Sequence, residues 1–202
     1  MRRARRFFAS LLLLAVFPAW ADPEETRRLA SGEVLVSLAP VPGGGPQEAT
    51  GRGVVDASPE RVFRALTDYA HWQEFMPFLE KSEPRKGKDG AVECLHVLDL
   101  PAPFGERHYR VRFTQRVETG PRGTTWRIDW SAVPGSGNLA GHRGSWTLTA
   151  FGPERTLAVC RLFTDPGGGV PRWMMDRANR KNLPWIFDGL RQHVRRSRYD
   201  GR

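Results

Sequence analysis

The sequence lacks the short motifs that identify many enzymes with metal or nucleotide cofactors. It contains no nucleophile elbow, no glycine-rich phosphate loop and no dinucleotide-binding fingerprint. Its 5 histidines show no metal-ligand spacing, and its 2 cysteines, Cys94 and Cys160, lie far apart in the chain. We therefore predict no metal, no cofactor and no catalytic residue, although a catalytic set assembled only in three dimensions would escape this search.

No apolar run is long enough to span a bilayer. The longest, from Phe7 to Phe17, follows an arginine-rich start and precedes Ala19-Trp20-Ala21, which has the small residues of a cleavage site. We therefore predict that residues 1–21 are a signal peptide rather than a membrane anchor, and that the mature protein is periplasmic or extracellular. Arg5-Arg6 suggests twin-arginine export and the leucine-rich centre suggests general secretion, so the route stays open.

The distribution of charge argues against a general nucleic-acid binder. The chain has 31 Lys and Arg against 22 Asp and Glu, but the excess lies at its two ends. Residues 170–202 hold nine basic and three acidic residues, and the body of the chain is near neutral. The cluster of C-terminal arginines indicates contact with an anionic membrane surface. The alternative is a solvated helix end whose positive charge interacts favourably with the helix dipole. This group comprises Arg191, Arg195, Arg196 and Arg198.

The strongest helical pattern runs from Pro171 to Arg195, directly after a glycine-rich breaker. Met174, Met175 and Ala178 share one face, and a second apolar stripe follows at helical spacing. Pro184 lies where the two stripes meet and removes a helical hydrogen bond, so we predict a kink there. The second stripe consists of Leu183, Ile186, Phe187, Leu190 and Val194.

Most of the remaining chain alternates with a period of two, which is typical of strands with one polar and one apolar face. Ser58 and Pro59 have the types found at a helix start, and a second short helical piece covers Tyr69 to Met76. Residues 22–31 are expected to be a flexible lead. The predicted strands cover residues 33–39, 49–57, 92–100, 107–117, 125–132, 144–150 and 156–164.

This order of elements is that of a helix-grip fold, and specific segments support it. Val55–Phe63 (VDASPERVF), Leu66–Tyr69 and Phe75–Pro77 resemble the opening of START-like (SRPBCC) proteins. Gly144–Trp146 and Val170–Trp173 resemble the polyketide-cyclase and coenzyme-Q-binding START branch, as does Leu183-Pro184. The resemblance implies an α+β fold, in which a curved antiparallel sheet of about seven strands wraps a long C-terminal helix. Two short helices follow the first core strand.

The predicted boundaries follow from this resemblance. Residues 22–46 form an N-terminal extension with a short strand and a Gly/Pro loop, as in exported members. Residues 47–196 form the START-like domain, and residues 197–202 form a basic tail.

The resemblance also implies a ligand cavity between the sheet and the terminal helix. Apolar walls with a few polar groups suit a hydrophobic or amphipathic small molecule, such as a lipid, a quinone or a polyketide-like compound. Aromatic residues that simply fill a solid core are the alternative. The predicted lining consists of His96, Leu98, Tyr109, Val111, Phe113, Trp126, Ile128, Trp130, His142, Trp146, Met174 and Ile186.

Two other functions remain open. A cyclase-like or hydrolytic enzyme would use His96, Tyr109 or His142 as acid, base or carbonyl-orienting groups. The other is a protein-interaction module with a filled core. The histidines would then be partly buried structural residues that hydrogen-bond to backbone carbonyls. Export permits a disulfide, but the family's strand order places Cys94 and Cys160 on strands that are not neighbours, so we predict two free, partly buried thiols.

Overall fold

The computed structural model describes residues 22–87, 91–102, 104–167 and 170–199. The predicted signal peptide, residues 1–21, lies outside the described residues, as do residues 200–202 of the predicted tail. The helices are α1 (Pro23–Ala30), α2 (Pro59–Thr67) and α3 (Arg172–His193), with 3-10 helices at Tyr69–Glu74 and Ser197–Tyr199. The strands are β1 (Leu35–Ala39), β2 (Glu48–Val55), β3 (Leu79–Lys86), β4 (Val92–Leu100), β5 (Gly105–Gly120), β6 (Gly123–Ala132), β7 (Gly141–Ala150) and β8 (Thr156–Asp165).

The strands form one antiparallel sheet in the order β1-β2-β8-β7-β6-β5-β4-β3. The sheet has 8 strands, where about seven were predicted, because β3 was not among the predicted strands. The predicted strand of the N-terminal extension is β1, which pairs with β2 along its whole length. The predicted α+β helix-grip class is confirmed. Strands β4 to β8 are consecutive neighbours, so the side chains on their inner face form one continuous surface.

Residues 22–31 are not the flexible lead that we expected, because residues 23–30 form α1. The Asp22 side chain accepts a hydrogen bond from the Glu24 amide at 2.9 Å, and Pro23 opens the helix. Leu29 is buried, and the Arg52 side chain pairs with Glu25 at 2.6 Å. The capping residues were present in the sequence, and their meaning was missed.

Two short helices follow β2 as predicted, the first with the predicted cap and the second ending at Glu74 rather than Met76. Ser58 Oγ accepts from the Arg61 amide at 3.4 Å, and Pro59 occupies the first turn of α2. The 3-10 helix Tyr69–Glu74 follows, and the Trp72 indole donates to the Leu66 carbonyl at 2.9 Å. This bond fixes Trp72 beneath the sheet, where it contributes to the cavity described below.

The second half of α3 packs tightly against the sheet. Leu183, Phe187 and Leu190 are fully buried, which confirms the second apolar stripe. Gly51 and Gly53 of β2 make room for this contact, since a Cβ at Gly53 would lie 2.7 Å from Phe187 Cδ1. Pro184 lies inside the helix, and the kink stays a prediction. Within the described residues, no helix is long and apolar enough to cross a membrane.

Candidate ligand-binding site

A cavity of about 390 Å³ lies between one end of the sheet and the first half of α3. Its walls come from β4 to β8, from the segment around Trp72 and from the face of α3 that carries Met174, Met175 and Ala178. Cavities of this size accommodate small-molecule ligands. Seven of the twelve predicted lining residues border it: His96, Leu98, Tyr109, Trp130, His142, Met174 and Ile186.

Five predicted residues do not border this cavity, namely Val111, Phe113, Trp126, Ile128 and Trp146. Four of them are buried in close-packed core. Phe113 stacks on Tyr69 with ring centroids 4.2 Å apart, and Trp146 meets Phe187 edge-on at 5.3 Å. The inner face of the sheet is therefore solid core at one end and cavity wall at the other.

Sequence reasoning found Met174 and Ile186 of α3 but missed other wall residues that lie outside the strands. Trp72, Met76 and Phe78 border the cavity from the segment between α2 and β3, and Asn179 borders it from α3. Period-two alternation could not find these positions, because they are not on strands. The apolar run Phe75–Leu79, interrupted only by Pro77, was the available signal.

His142 connects two other cavity residues through hydrogen bonds. The Trp130 indole Nε1 donates to His142 Nε2 at 3.0 Å, and His142 Nδ1 lies 3.1 Å from Thr164 Oγ1. An indole N–H can only donate, so Nε2 is the acceptor and the proton of the neutral ring is on Nδ1. Burial lowers the pKa of His142 to about 4, which keeps the ring uncharged at neutral pH.

His96 and Tyr109 form a second polar pair in the cavity wall. His96 Nδ1 lies 3.5 Å from Tyr109 Oη, and within the described chain His96 Nε2 has no hydrogen-bond partner. Burial, with a smaller contribution from His142, lowers the pKa of His96 to about 3. Burial also raises the pKa of Tyr109, so its hydroxyl stays protonated. The two pairs therefore offer hydrogen bonds without charge.

These groups suit recognition better than proton transfer. A general base works best when its pKa lies near the working pH, and both imidazoles lie well below neutrality. Both His142 nitrogens are also engaged. Among the described residues, no cluster of His, Cys, Asp and Glu could hold a metal ion.

The two thiols are free, as predicted, and both are buried rather than partly buried. Cys94 is on β4 and Cys160 on β8, with β5, β6 and β7 between them. Cys160 borders the cavity. Burial raises the pKa of Cys94 to about 12 and also raises that of Cys160, so neither provides a ready thiolate.

The cations of the cavity lie on α3, where Arg177 and Lys181 border it with exposed side chains. Trp173 and Trp185 continue the same line along α3 at four-residue spacing, and they are 65% and 49% exposed. Phe78 meets Trp185 edge-on at 5.8 Å. The exposed face of α3 beside the cavity thus combines aromatic rings with positive charge.

The C-terminal arginines are less available than the sequence suggests. Arg191 donates to the carbonyls of Val54 and Gly32 at 3.0 and 2.9 Å and pairs with Asp188. Arg196 and Arg198 both pair with Glu74, Arg198 at 3.5 Å. Three of the four predicted membrane-contact residues therefore tie the end of α3 to the domain.

Comparison with known proteins adds to this geometry. A family model described as polyketide cyclase / dehydrase and lipid transport matches residues 46–196, and no curated protein matches the sequence. A STAR-related lipid transfer protein from Xanthomonas axonopodis is similar in structure, with a TM-score of 0.69. It is 23% identical, and the alignment covers 81% of this chain and 94% of that one.

More distant solved structures show the same fold. Human StAR-related lipid transfer protein 5 has a TM-score of 0.66 at 14% identity, with 85% of this chain and 95% of that chain covered. The di-domain ARO/CYC StfQ from the steffimycin biosynthetic pathway has a TM-score of 0.51 at 20% identity, with 71% and 45% covered. The match of the family model from β2 to α3 shows that the chain belongs to the polyketide cyclase / dehydrase and lipid transport family, with a START-like helix-grip fold.

Proposed function

We propose that this protein binds a hydrophobic or amphipathic small molecule, such as a lipid, a quinone or a polyketide-like compound, between the sheet and α3. The observation that carries the proposal is the cavity of about 390 Å³, whose walls are largely aliphatic and aromatic. Burial of apolar ligand surface supplies affinity at roughly 25 cal/mol per Å². The lipid transport in the description of the family, and the structural similarity to a STAR-related lipid transfer protein, point to the same class of ligand.

The other two candidate functions receive less support. An interaction module with a filled core does not account for the space between Met174, Ile186 and the sheet. An enzyme would need an acid, base or nucleophile with a pKa near the working pH, and burial shifts the pKa values of the His, Tyr and Cys side chains in the cavity away from neutrality.

A cavity-filling variant tests binding directly. Ala178 borders the cavity, whereas Gln192 is exposed near the end of α3, so Ala178→Phe and Gln192→Phe add the same ring at contrasting sites. The uncharged probe N-phenyl-1-naphthylamine should bind saturably to the wild type and to Gln192→Phe, and at least tenfold more weakly to Ala178→Phe. Absence of saturable binding by the wild type, together with no co-purifying molecule in native mass spectrometry, would overturn the proposal. Turnover of a co-purified molecule would favour the enzyme.

We further propose that the ligand is exchanged at an anionic membrane. The support lies less in the C-terminal group Arg191, Arg195, Arg196 and Arg198 than in the α3 line Trp173, Arg177, Lys181 and Trp185. Tryptophan favours the membrane interface, and cations are attracted to anionic head groups. Arg177 and Lys181 border the cavity, so docking through this line would place that side of the cavity next to the lipid.

Liposome co-sedimentation separates the two surfaces. The double variant Trp173→Ser, Trp185→Ser should lose most binding to phosphatidylglycerol vesicles, and the matched variant Arg195→Ser, Arg198→Ser should lose little. Binding should weaken steeply with salt, since exposed charges are screened over about 8–10 Å at physiological ionic strength. If the arginine variant loses most of the binding and the tryptophan variant loses little, the docking surface is the C-terminal group of arginines. If the wild type does not bind anionic vesicles, the membrane proposal is wrong.

A further inference from the structure

We infer that the Thr164 hydroxyl is a fixed hydrogen-bond donor inside the cavity, and that the protein selects ligands with an uncharged oxygen acceptor, such as a ketone, ester or quinone carbonyl. This inference rests on the proposed function and assigns the chemical class of its ligand. It depends on the hydrogen-bonded chain Trp130–His142–Thr164, which crosses three strands.

The sheet builds this chain through its register. His142 and Thr164 are directly opposed on β7 and β8, and Trp130 of β6 is opposed to Gly144. A Cβ at Gly144 would lie 2.3 Å from Trp130 Cζ2, so only glycine lets the indole extend across β7. The indole N–H then reaches His142 Nε2 at 3.0 Å.

The direction of each hydrogen bond follows from the first donor. Because Trp130 can only donate, His142 must accept at Nε2 and, as a neutral ring, donate from Nδ1. Thr164 Oγ1 therefore accepts from His142, and its own hydroxyl hydrogen is left to donate elsewhere. His142 is its one side-chain partner within the described part of the chain, and Thr164 borders the cavity. Bonds aligned in this way polarise one another and strengthen the last donor.

The charges around the cavity select an uncharged acceptor. His96, Tyr109 and His142 provide no positive charge, and the cations that border the cavity, Arg177 and Lys181, have exposed side chains on α3. A carboxylate or phosphate at Thr164 would find no charged partner in Trp130 or His142, and removing an anion from water without a charged partner is costly. A pure hydrocarbon would leave the Thr164 donor without a partner, which is also unfavourable. A carbonyl oxygen avoids both costs.

A matched pair of small ligands tests this selection. Benzophenone and diphenylmethane have nearly the same shape and differ in one carbonyl oxygen, and diphenylacetate supplies the anion. Thr164→Val removes the hydroxyl and keeps the shape of the side chain. We expect Thr164→Val to weaken benzophenone binding by roughly 2- to 13-fold, the equivalent of one neutral hydrogen bond, and to leave diphenylmethane unchanged in isothermal titration calorimetry.

Two controls accompany the test. Thr164→Ser keeps the hydroxyl and should retain the wild-type affinity ratio of the two ligands. Thr147→Val makes the same change on β7 at a position between the buried Trp146 and Leu148, on the opposite face of the sheet, and should have no effect on that ratio.

An affinity ratio that Thr164→Val leaves unchanged would overturn the inference while leaving the proposed function intact. Tight binding of diphenylacetate that depends on the Thr164 hydroxyl would overturn the uncharged class. Failure of the wild type to bind any of the three would count against the proposed function and this inference together. Nitrogen-15 NMR of wild-type His142 needs no variant, since a proton on Nε2 instead of Nδ1 would leave Trp130 without an acceptor there and overturn the inference.

Discussion

At the scale of single residues, burial decides what His96 and His142 can do. Both imidazoles are kept neutral by the cost of placing a charge among apolar side chains, which lowers their pKa to about 3 and about 4. Each can donate and accept hydrogen bonds without carrying charge. The same burial makes both of them sensitive to acid.

We predict that the protein loses stability between pH 6.5 and about pH 3, the folded-state pKa of His96. An unfolded chain binds protons at histidine near pH 6.5, whereas folded His96 does not, so stability is fully present above pH 6.5 and falls as the pH is lowered. One histidine shifted this far costs about 2 kcal/mol by pH 5. Urea unfolding at pH 7 and pH 5 should show a smaller loss for His96→Leu than for the wild type. His108→Leu, at an exposed position on β5, should match the wild type, and an equal loss in all three would contradict this prediction.

The predicted lining residues show how far sequence reaches at this scale. Alternation correctly placed Tyr109, Phe113 and Trp130 on the inner face of the sheet. Alternation could not show which end of that face is covered by packed rings. Phe113 is covered by Tyr69 and Trp72, which lie far from it in the sequence. Whether an inward residue meets core or cavity is decided by such distant contacts.

At the scale of elements, α3 approaches the sheet where β2 has no side chains. Cβ atoms at Gly51 and Gly53 would lie 3.1 Å and 2.7 Å from Phe187. Two glycines spaced by two residues on one strand present a smooth surface to the helix. The close contact at this end leaves the cavity at the other end of α3.

We predict that Gly53→Ala destabilises the protein by about 1–3 kcal/mol, because the new methyl group overlaps the Phe187 ring and overpacking has costs of this size. Gly120→Ala, at the exposed end of β5 with open space around it, is the matched control and should change stability little. Thermal and chemical unfolding of the two variants measure the difference. Equal stability of the two variants would show that α3 shifts at negligible cost.

The elements themselves were largely predictable, because their start signals and periods are local. Ser58 and Pro59 marked α2, and the period of two marked most of the sheet. The helix at Pro23–Ala30 was missed although Asp22 and Pro23 are a capping pair, since a highly charged segment gives little apolar pattern. The predicted kink at Pro184 remains to be measured.

At the scale of the whole molecule, we propose that the protein is exported and that residues 1–21 are removed. Cleavage after Ala21 would keep Asp22, whose side chain caps α1. We predict that protein recovered from the periplasm or medium has the intact mass of a chain beginning at Asp22. A mass that retains residues 1–21 would refute cleavage, and recovery only from the cytoplasm would refute export.

The cavity beneath the first half of α3 also has a consequence for molecular volume. Unfolding eliminates the part of its roughly 390 Å³ that water does not fill, and pressure favours whichever state occupies less volume. Compression should therefore unfold this protein more readily than a solid-core protein of similar thermal stability. A bound molecule that fills the cavity should shrink the volume change of unfolding, so high-pressure tryptophan fluorescence would report occupancy without knowledge of the occupant.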